Sequence, residues 1–339
     1  MSDNETILLA HGGGGQLTAE LIAQVILPAV GGQQPGALRD AATLPAQSGP
    51  LAFTTDSYVV WPLEFPGGDI GKLAVCGTIN DLAVSGARPV ALSLGLVLEE
   101  GLPIEVLRRV LTSAGQAARE AGVIIATGDT KVVERGKCDG LYINTAGIGA
   151  MLPQAQLGYD RLAEGDAVIL SGSLGDHGLT IMSRRKGLSF ASELRTDCAA
   201  LHQLCAALVE ELGARVKFMR DLTRGGLAAT LAEISSSARV DIEIQESAIP
   251  VNRSVRAAAE MLGLDVLTVA NEGKLAAIVS ADAADEAVRI LRSFPLSRQA
   301  VNIGRIVKAQ DEPLVEMVTQ YGGRRIVQMP YGEELPRIC

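Results

Sequence analysis

The sequence predicts an α+β protein made of two α/β halves, followed by a tail. Apolar residues make up 47% of the 339 residues, so both halves can bury a core. Runs typical of strands alternate with amphipathic stretches, and this pattern loosens at 151–164 before it begins again. We therefore predict an N-terminal domain at 1–155, a C-terminal domain at 156–311 and a partly mobile tail at 312–339.

Apolar periodicity and turn residues define the predicted elements of each half. In the first half they predict strands at 51–60, 89–98, 123–126 and 141–148, and helices at 69–86 and 103–121. In the second half they predict strands at 167–171, 240–244, 275–280 and 301–307, and helices at 178–185, 197–212, 226–237 and 281–293. Two such halves with glycine-rich strand ends favour a ligand at their junction, or between two subunits.

The composition argues against several classes of function. A net charge of −9 disfavours nucleic acid or an anionic membrane as the main partner, since both need clustered Lys and Arg. The first ten residues lack the basic start of a signal peptide, and no apolar run approaches the ~18 residues of a membrane-spanning helix, so we expect a cytoplasmic protein. The five cysteines form no CxxC pair, which argues against a disulfide framework or a structural zinc site.

Four aspartates at strand ends or in short polar insertions are candidate metal ligands: Asp56, Asp81, Asp129 and Asp221. Mg²⁺ takes oxygen ligands, usually a few carboxylates together with nucleotide phosphates. A single strand-end Asp is more often a cap or turn residue, but four of them favour a metal site. Asp81 carries the most weight, because it lies with Asn80 in an otherwise apolar helical run where an unpaired charge is costly.

Glycines and lysines supply the candidate phosphate contacts. The run His11-Gly12-Gly13-Gly14-Gly15 could turn backbone N–H groups toward an anion, although a flexible linker would have the same composition. Lys72, at a predicted helix start, could reach a phosphate or be an ordinary solvated lysine. Lys131 follows Asp129 and Thr130, so it lies beside the predicted metal site or forms an ordinary ion pair.

Glu272 and Cys339 are the candidate catalytic residues. Glu272 follows an apolar run and precedes Gly273, a position that suits a general base or a turn. Cys339 is the last residue, and a thiol on a tail can be presented to more than one site; a chance terminal cysteine is the alternative. In SGSLGDHG we favour a structural turn, with Asp176 near a helix cap, over a catalytic His177. The other cysteines are interpreted as core residues: Cys76, Cys138, Cys198 and Cys205.

Together these segments resemble the HypE family of hydrogenase maturation factors, within the ATP-binding superfamily that includes aminoimidazole ribonucleotide synthetase and selenophosphate synthetase. The matching stretches are HGGGG, TDSYVV, GGDIGKLAVCGTINDLAVSGARP, ATGDTKVVERGKCDGLYINTAGIG, SGSLGDHG, MRDLTRGGLA, NEGK and the terminal PRIC. They extend from residue 11 to residue 339. The glycine and aspartate motifs specify the superfamily, and PRIC together with GDTKVVERG specifies HypE.

The resemblance implies a fold, a reaction and partners. It implies that strands of the N-terminal half join those of a second copy in a dimer-forming β-barrel, that the C-terminal half packs beside it, and that ATP and Mg²⁺ bind between the halves. A carbamoyltransferase, HypF, is expected to load a carboxamide onto Cys339. ATP-dependent dehydration then gives an S-thiocyanate, and the cyano group passes to iron on a HypC–HypD complex for nickel–iron hydrogenase.

We assign roles to the candidate residues on this basis. Cys339 carries the substrate, Lys131 stabilises developing charge, and Glu272, or a water that it holds, takes the proton; the sequence also permits the last two roles to be exchanged. The predicted metal ligands are Asp56, Asp81, Asp129 and Asp221. The predicted nucleotide contacts are Gly13, Gly14, Thr55, Lys72, Asn80 and Thr130.

Two alternative functions stay open at this point. One is a different ATP-dependent synthetase of the same superfamily, although the residues around His11 lack the Cys or Sec that selenium chemistry would need. The other is a non-catalytic metal chaperone that uses Cys339 as a ligand. The four aspartates argue against the chaperone, because a thiolate carrier needs no magnesium–nucleotide pocket.

Overall fold

Two mixed β-sheets with helices packed on them, and a small two-stranded sheet, make up the described part of the protein. The computed structural model describes residues 6–31, 41–187, 194–308, 312–332 and 337–339. Pro336 of the predicted PRIC motif lies outside the described residues. None of the helices in these ranges is long and apolar enough to cross a membrane.

The first half begins with a helical segment and continues into the strands of the first sheet. Its elements are α1 (Gln16–Leu21), a π-helical turn (Ile22–Ile26), α2 (Leu27–Val30), β1 (Leu51–Tyr58), β2 (Glu64–Phe65), β3 (Gly68–Asp69), α3 (Ile70–Val84), β4 (Ala87–Glu99), α4 (Ile104–Glu120), β5 (Ile124–Val133) and β6 (Leu141–Met151). A 3₁₀ turn at Leu9–Gly12 precedes them.

The second half alternates strands and helices and ends in two further strands. Its elements are β7 (Ala167–Leu170), α5 (Asp176–Lys186), α6 (His202–Leu212), β8 (Val216–Asp221), α7 (Gly226–Ala238), β9 (Asp241–Gln245), α8 (Arg253–Leu262), β10 (Leu275–Val279), α9 (Ala284–Arg292), β11 (Val301–Val307), β12 (Val315–Val318) and β13 (Arg324–Ile326). Short 3₁₀ turns connect several of them, at Tyr159–Arg161, Gly213–Arg215, Glu246–Ala248, Val266–Thr268, Ala281–Ala283 and Pro295–Ser297.

The first sheet has the strand order β1-β6-β4-β5 in the described part of the chain. β4 and β5 run parallel, and the other neighbouring pairs are antiparallel. Within the described ranges β1 and β5 are therefore its edges, and both expose large apolar side chains: Phe53 is 71% and Ile124 is 53% exposed. The sheet is open in the single chain, so its closure into a barrel with a second copy stays a prediction.

α3 is buried on almost every side. Asp69 caps its start by accepting hydrogen bonds from the backbone N–H groups of Gly71 and Lys72, at 2.8 and 3.0 Å. The helix lacks a polar face because it lies between the first sheet and the second half, in contact with β1 and β6 and with α6 and β8. This position brings Asp81, near the end of the helix, to the junction between the halves.

The second sheet has the strand order β13-β12-β9-β11-β7-β10-β8 among the described residues. Only β9 and β12 are parallel neighbours in that set. β10 is buried throughout, and alternate residues face opposite sides: Leu275 packs with α6 and α9, whereas Ala276 packs with α7. A strand buried on both faces shows a continuous apolar run, which explains why the sequence predicted it clearly.

Most predicted elements are confirmed, with ends that shift by a few residues. The helix predicted at 197–212 begins only at His202, because the Asp197 side chain accepts hydrogen bonds from the backbone of Glu272 and Gly273. The segment α1 to α2, β8 and α8 were not predicted. β8 reads VKFMRD, which has neither an apolar run nor a strict alternation.

The predicted tail is wrong in part. β12 and β13 join the second sheet, with β12 parallel to β9, so much of 312–326 belongs to the folded C-terminal half. These strands are only four and three residues long, too short for a periodic signal in the sequence. The division near residue 155 stays a prediction.

Candidate active site

A cavity of about 650 Å³ lies at the junction of the two halves. β1 and α3 line it from the first half, and the residues that end and follow β8 line it from the second. It brings together many of the predicted site residues, which are Thr55, Asp56, Asp81, Asp221, Glu272 and Cys339. These residues are up to 284 positions apart in the sequence (Cys339 against Thr55), so the fold and not the local sequence joins them.

Three of the four predicted metal ligands line this cavity. The Thr54 hydroxyl donates a hydrogen bond of 2.8 Å to one carboxylate oxygen of Asp81. Burial raises the pKa of Asp81, and burial together with the charge of Asp81 raises the pKa of Asp221 to about 7. Carboxyl groups that disfavour each other's ionisation in this way are stabilised by a bound cation or by nearby arginines, here Arg220 and Arg224.

The donor set fits a magnesium ion that is shared with phosphate. All three candidate ligands offer oxygen atoms, which Mg²⁺ prefers. In the described ranges, however, no group of three acidic, His or Cys side chains is close enough to hold a metal by itself. Asp56, Asp81 and Asp221 would therefore hold Mg²⁺ together with nucleotide phosphate oxygens, where the ion would neutralise phosphate charge.

Glu272 is a buried carboxyl group with spare hydrogen-bonding capacity. It is 2% exposed, and its Oε1 atom has no hydrogen-bond partner among the described residues. Burial raises its pKa well above the usual range, and the nearby charges of Asp221 and Asp197 add to this effect. An unpartnered carboxyl group with a raised pKa, facing a cavity, is suited to exchange a proton with a bound substrate.

The backbone around Glu272 is held rigidly from both sides. Its N–H donates to Asp197 Oδ1 at 3.1 Å, and its carbonyl accepts from Asn80 Nδ2 at 3.2 Å. Gly273 allows this close packing, since a Cβ atom there would lie 1.9 Å from the Asp197 carbonyl oxygen. Asp197 also forms a buried ion pair of 3.2 Å with Lys274. Three of the four residues of the NEGK motif, Glu272, Gly273 and Lys274, are therefore explained by their contacts.

Cys339 lies inside the same cavity. One of its terminal oxygens accepts a hydrogen bond of 3.3 Å from the N–H of Val59. Burial, followed by the charge of Glu272, raises the pKa of its thiol, while Arg224 acts in the opposite direction. The docked thiol is therefore held in its neutral form, in which it is a poor nucleophile.

A second cavity, of about 350 Å³, contains four more of the predicted site residues. It is lined by Gly12 and Gly14 of the glycine run, by the helical segment from Thr18 to Val30, and by Asp129, Thr130 and Lys131 on β5. Asp129 and Lys131 form an ion pair of 2.7 Å, and their side chains are 67% and 65% exposed. That pair lowers the pKa of Asp129.

The grouping of Asp129 with the other three aspartates is wrong within one chain. β1 and β5 are opposite edges of the first sheet, three strand spacings apart, so Asp56 and Asp129 are separated by about 14 Å across it. Strand order decided this outcome. The sequence places both residues in similar polar insertions and gives no sign of which strands are neighbours.

Three other predicted nucleotide contacts lie outside the lining of both cavities. The side chain of Asn80 is fully engaged: Nδ2 donates to the carbonyls of Ala199 and Glu272, and Oδ1 accepts from the N–H of Leu201 at 2.8 Å. Asn80 thus fixes the junction between the halves. Lys72 Nζ donates to the Gly67 carbonyl at 3.3 Å, and Gly13 lies between two glycines that do line the second cavity.

Two arginines in the first cavity were missed by the sequence reasoning. Arg220 and Arg224 flank Asp221 in the segment RDLTR, and both line the cavity. Their positive charges oppose the rise in the pKa of Asp81. The signal was present in the sequence as two arginines beside a strand-end aspartate, which is an arrangement that suits phosphate binding.

Family models for both domains of AIR synthase-related proteins match the chain. The N-terminal model matches residues 38–151, and the C-terminal model matches residues 163–315. The chain thus contains both α/β domains of the AIR synthase-related class.

Full-length relatives narrow this assignment. Carbamoyl dehydratase HypE of Rhizobium leguminosarum bv. viciae is 50% identical over 336 residues, which cover 99% of this chain and 96% of that protein. The crystal structure of hydrogenase maturation protein HypE in complex with ATP matches with a TM-score of 0.92 and 48% identity, covering 98% of this chain and all of the other. HypE in a crystal structure of a HypE–HypF complex matches with a TM-score of 0.80 and 42% identity, covering 93% of this chain and 100% of that one. The chain belongs to the HypE family of carbamoyl dehydratases.

Proposed function

We propose that this chain is an ATP-dependent carbamoyl dehydratase that converts an S-carboxamide on its own Cys339 to an S-thiocyanate, the source of a cyanide ligand for the iron of nickel–iron hydrogenase. One observation carries the proposal: the terminal thiol lies in the same cavity as the unpartnered carboxyl group of Glu272 and three aspartates. The relatives named HypE, one of them crystallised with ATP, support the same reaction.

The chemistry needs an activated oxygen and a base. The carboxamide oxygen is a poor leaving group, so its carbonyl oxygen takes the γ-phosphoryl group of ATP while nitrogen loses one proton. Loss of the second N–H proton then expels phosphate and leaves S–C≡N. Glu272, in its ionised form, is placed to accept the first of these protons beside Cys339, and the departing phosphate takes the second. Arg220 and Arg224 are placed to offset phosphate charge.

A homodimer would complete this site. In one chain Glu272 lies in the first cavity, beside β1, whereas Lys131 lies in the second cavity, on β5 at the opposite edge of the first sheet. If two open sheets pair edge to edge, with β1 of each beside β5 of the other, the partner subunit's Lys131 would come within about one strand spacing of β1. The exposed apolar residues Phe53 and Ile124 on these edges support such pairing. Lys131 would then stabilise the charge that develops on the carboxamide.

Two protein partners follow from this reaction. A carbamoyltransferase must load Cys339, and the crystallised HypE–HypF complex of a relative supports HypF in that role. An iron-carrying acceptor must take the cyano group, and we assign that role to a HypC–HypD complex. Because ATP is made and used in the cytoplasm, we place the reaction there.

Intact-mass spectrometry tests the proposed reaction directly. The full chain is incubated with the carbamoyltransferase and carbamoyl phosphate, with and without Mg-ATP, beside the Cys339→Ala variant. Wild type should gain the mass of one carbamoyl group and, with Mg-ATP in the dehydration step, then lose the mass of one water, whereas the variant should gain nothing. An unmodified wild-type chain, with a transferase that is active on another HypE, would contradict the proposal.

A further inference from the structure

One face of α5 contacts Arg337 and Ile338, the two residues before Cys339. His177, Ile181 and Arg185 are spaced by four residues, so they share that face. His177 and Arg185 contact main-chain carbonyls of the terminal tripeptide, and Ile181 shares a buried cluster with Ile338. A helix face that contacts the main chain of two successive residues and the side chain of one of them has the features of a binding site for a short peptide.

His177 binds the carbonyl of Ile338, and the hydrogen-bond partners of its ring define the protonation state of that ring. The ring is fully buried, with Nε2 3.0 Å from the Ile338 oxygen and Nδ1 2.7 Å from the Thr196 hydroxyl. A carbonyl oxygen only accepts, so Nε2 carries the hydrogen and Nδ1 accepts from Thr196. The Thr196 oxygen in turn accepts from the N–H of Cys198 at 3.0 Å. With a neutral ring, the direction of each hydrogen bond in this series is therefore fixed, and the Thr196 hydroxyl both donates and accepts.

Charged groups around this ring act in opposite directions. Burial lowers the pKa of His177 and Arg185 adds to that effect, whereas Asp197 opposes it. The edge of the ring also meets Phe65, with the ring centres 5.6 Å apart. The net effect is a lowered pKa of His177, so the neutral ring that donates from Nε2 is favoured.

Arg185 and the contacts of Arg337 complete the docking of the tail. Arg185 donates from Nε to the Trp61 carbonyl at 2.6 Å and from a terminal nitrogen to the Arg337 carbonyl. Arg337 has a left-handed backbone with φ of 55°, an uncommon conformation for a residue with a side chain, and its own side chain pairs with Asp139 and donates to the Val59 carbonyl. Ile338 is only 2% exposed. The tail is thus recognised through both main-chain and side-chain groups.

We propose that this face of α5 is the binding site for the C-terminal tripeptide, and that His177 is a positioning residue that sets Cys339 against Glu272 during dehydration. The docking site stands on the contacts alone, and its catalytic consequence rests on the function proposed above. Ile338 is adjacent to Cys339 in the chain, so fixing its carbonyl restricts where the thiol carbon can lie.

Alkylation of Cys339 by iodoacetamide tests the docking in the full chain, without ATP or partners. A docked thiol has a raised pKa and little thiolate, so the reaction proceeds through undocked tails. Removing one buried hydrogen bond should raise the undocked fraction, and the alkylation rate of His177→Ala should rise about fivefold to tenfold. Arg185→Ala should give a similar or larger rise, and His177→Gln, which keeps a donor of similar reach, should return most of the way to wild type. The Cys339→Ala variant gives the rate of the other four cysteines, which is subtracted.

A matched control separates docking from general damage to the helix. Leu179 is equally buried on α5 but packs in a different cluster, with Val255 and Val269. Leu179→Ala should lower the melting temperature without accelerating alkylation of Cys339. A wild-type alkylation rate in both His177→Ala and Arg185→Ala, with the chain folded, would overturn the docking site; so would equal acceleration in Leu179→Ala.

The catalytic consequence has its own readout. In His177→Ala the rate of carbamoyl loading by the transferase should be unchanged or faster, whereas single-turnover dehydration of the loaded chain should slow by about tenfold. Equal loss of both rates would contradict a positioning role. If wild type takes up the carbamoyl group but never loses water, the proposed function fails, while the alkylation rates still decide whether α5 holds the tail.

Discussion

The two cavities contain the same kinds of residue in opposite electrostatic states. In the cavity at the junction, Asp221 is 8% exposed and burial raises its pKa to about 7. In the cavity beside β5, the exposed Asp129 is paired with Lys131, which lowers its pKa. The first site is built by two halves of one chain, and burial and mutual repulsion raise the pKa values of its carboxyl groups. The second is open and already neutral, which is expected of a surface that meets another subunit.

Replacing Glu272 should cause the largest loss. Glu272→Gln keeps the shape of the side chain but removes the proton acceptor, so dehydration should slow by about 10²- to 10⁴-fold. Carbamoyl loading of Cys339 should be unaffected, and mass spectrometry should therefore find the carbamoyl adduct accumulating. Glu260→Gln, an exposed glutamate on α8, is the control and should dehydrate at the wild-type rate. Normal turnover in Glu272→Gln would remove Glu272 from the mechanism.

Mixing two inactive variants tests whether the cavities join through a partner. Lys131→Ala and Glu272→Gln should each be inactive. In a mixed dimer one site would combine a native Glu272 with the partner subunit's native Lys131. After random exchange of subunits about a quarter of all sites would be intact, so about a quarter of the wild-type rate should return.

The outcome of this mixing separates two arrangements of the site. No recovery, with mixed dimers shown by native mass spectrometry, would mean that Lys131 acts within its own chain or does not act. Recovery would mean that a second copy supplies Lys131 to the β1 edge, which lies ~14 Å from β5 of its own chain.

The pH dependence of stability should differ in sign between the two aspartates when nucleotide and magnesium are absent. A buried carboxyl group whose pKa rises from ~3.9 to about 7 on folding costs stability above pH ~4, and the cost is fully present above pH 7. Asp221→Asn should therefore stabilise the chain by about 2–4 kcal/mol at pH 8, with the gain vanishing near pH 4. Urea unfolding at several pH values measures this difference.

Asp129→Asn is the matched comparison for that series. The lowered pKa of Asp129 means that its ion pair with Lys131 contributes stability above pH ~4, which is lost as the pH falls through the folded pKa. Because both side chains are largely exposed, the loss in Asp129→Asn should be within a few tenths of a kcal/mol at neutral pH. A stabilisation of the same size in both variants would show that the two sites do not differ electrostatically.

The sequence predicted the chemistry of the first cavity better than its assembly. Strand-end aspartates, the NEGK motif and the terminal cysteine could be read directly, because polar and reactive residues at the ends of apolar runs can be located without knowledge of the fold. Strand order could not be read, and this is why Asp129 was grouped with Asp56. Asn80 was misassigned for a related reason: its amide joins two backbone segments from the other half, Ala199 and Glu272, which the sequence does not bring together.

The fold followed the same pattern. Elements with long apolar periods, such as α4 and β10, were predicted with ends that differ by at most a few residues. Elements that are short or polar were missed, and β8 is the clearest example, although it positions Asp221. The tail was misjudged because β12 is held mainly by pairing with β9, a contact between segments about 70 residues apart. Periodicity reports burial along one segment and carries no information on such pairing.

The smallest predicted effect on activity comes from a residue that supports one of the aspartates. Thr54 donates its hydroxyl to Asp81 at 2.8 Å, which favours the ionised carboxylate. Thr54→Val keeps the shape but removes the donor, so the pKa of Asp81 should rise further and the KM for Mg-ATP should increase about threefold to tenfold, with a smaller change in kcat. Thr112→Val on α4, whose exposed hydroxyl bonds only the Arg108 carbonyl among the described residues, should leave both constants unchanged. An unchanged KM in Thr54→Val would mean that Asp81 meets the nucleotide-bound metal without help from its neighbour, and the raised pKa of this carboxyl would then have to be offset by the cation alone.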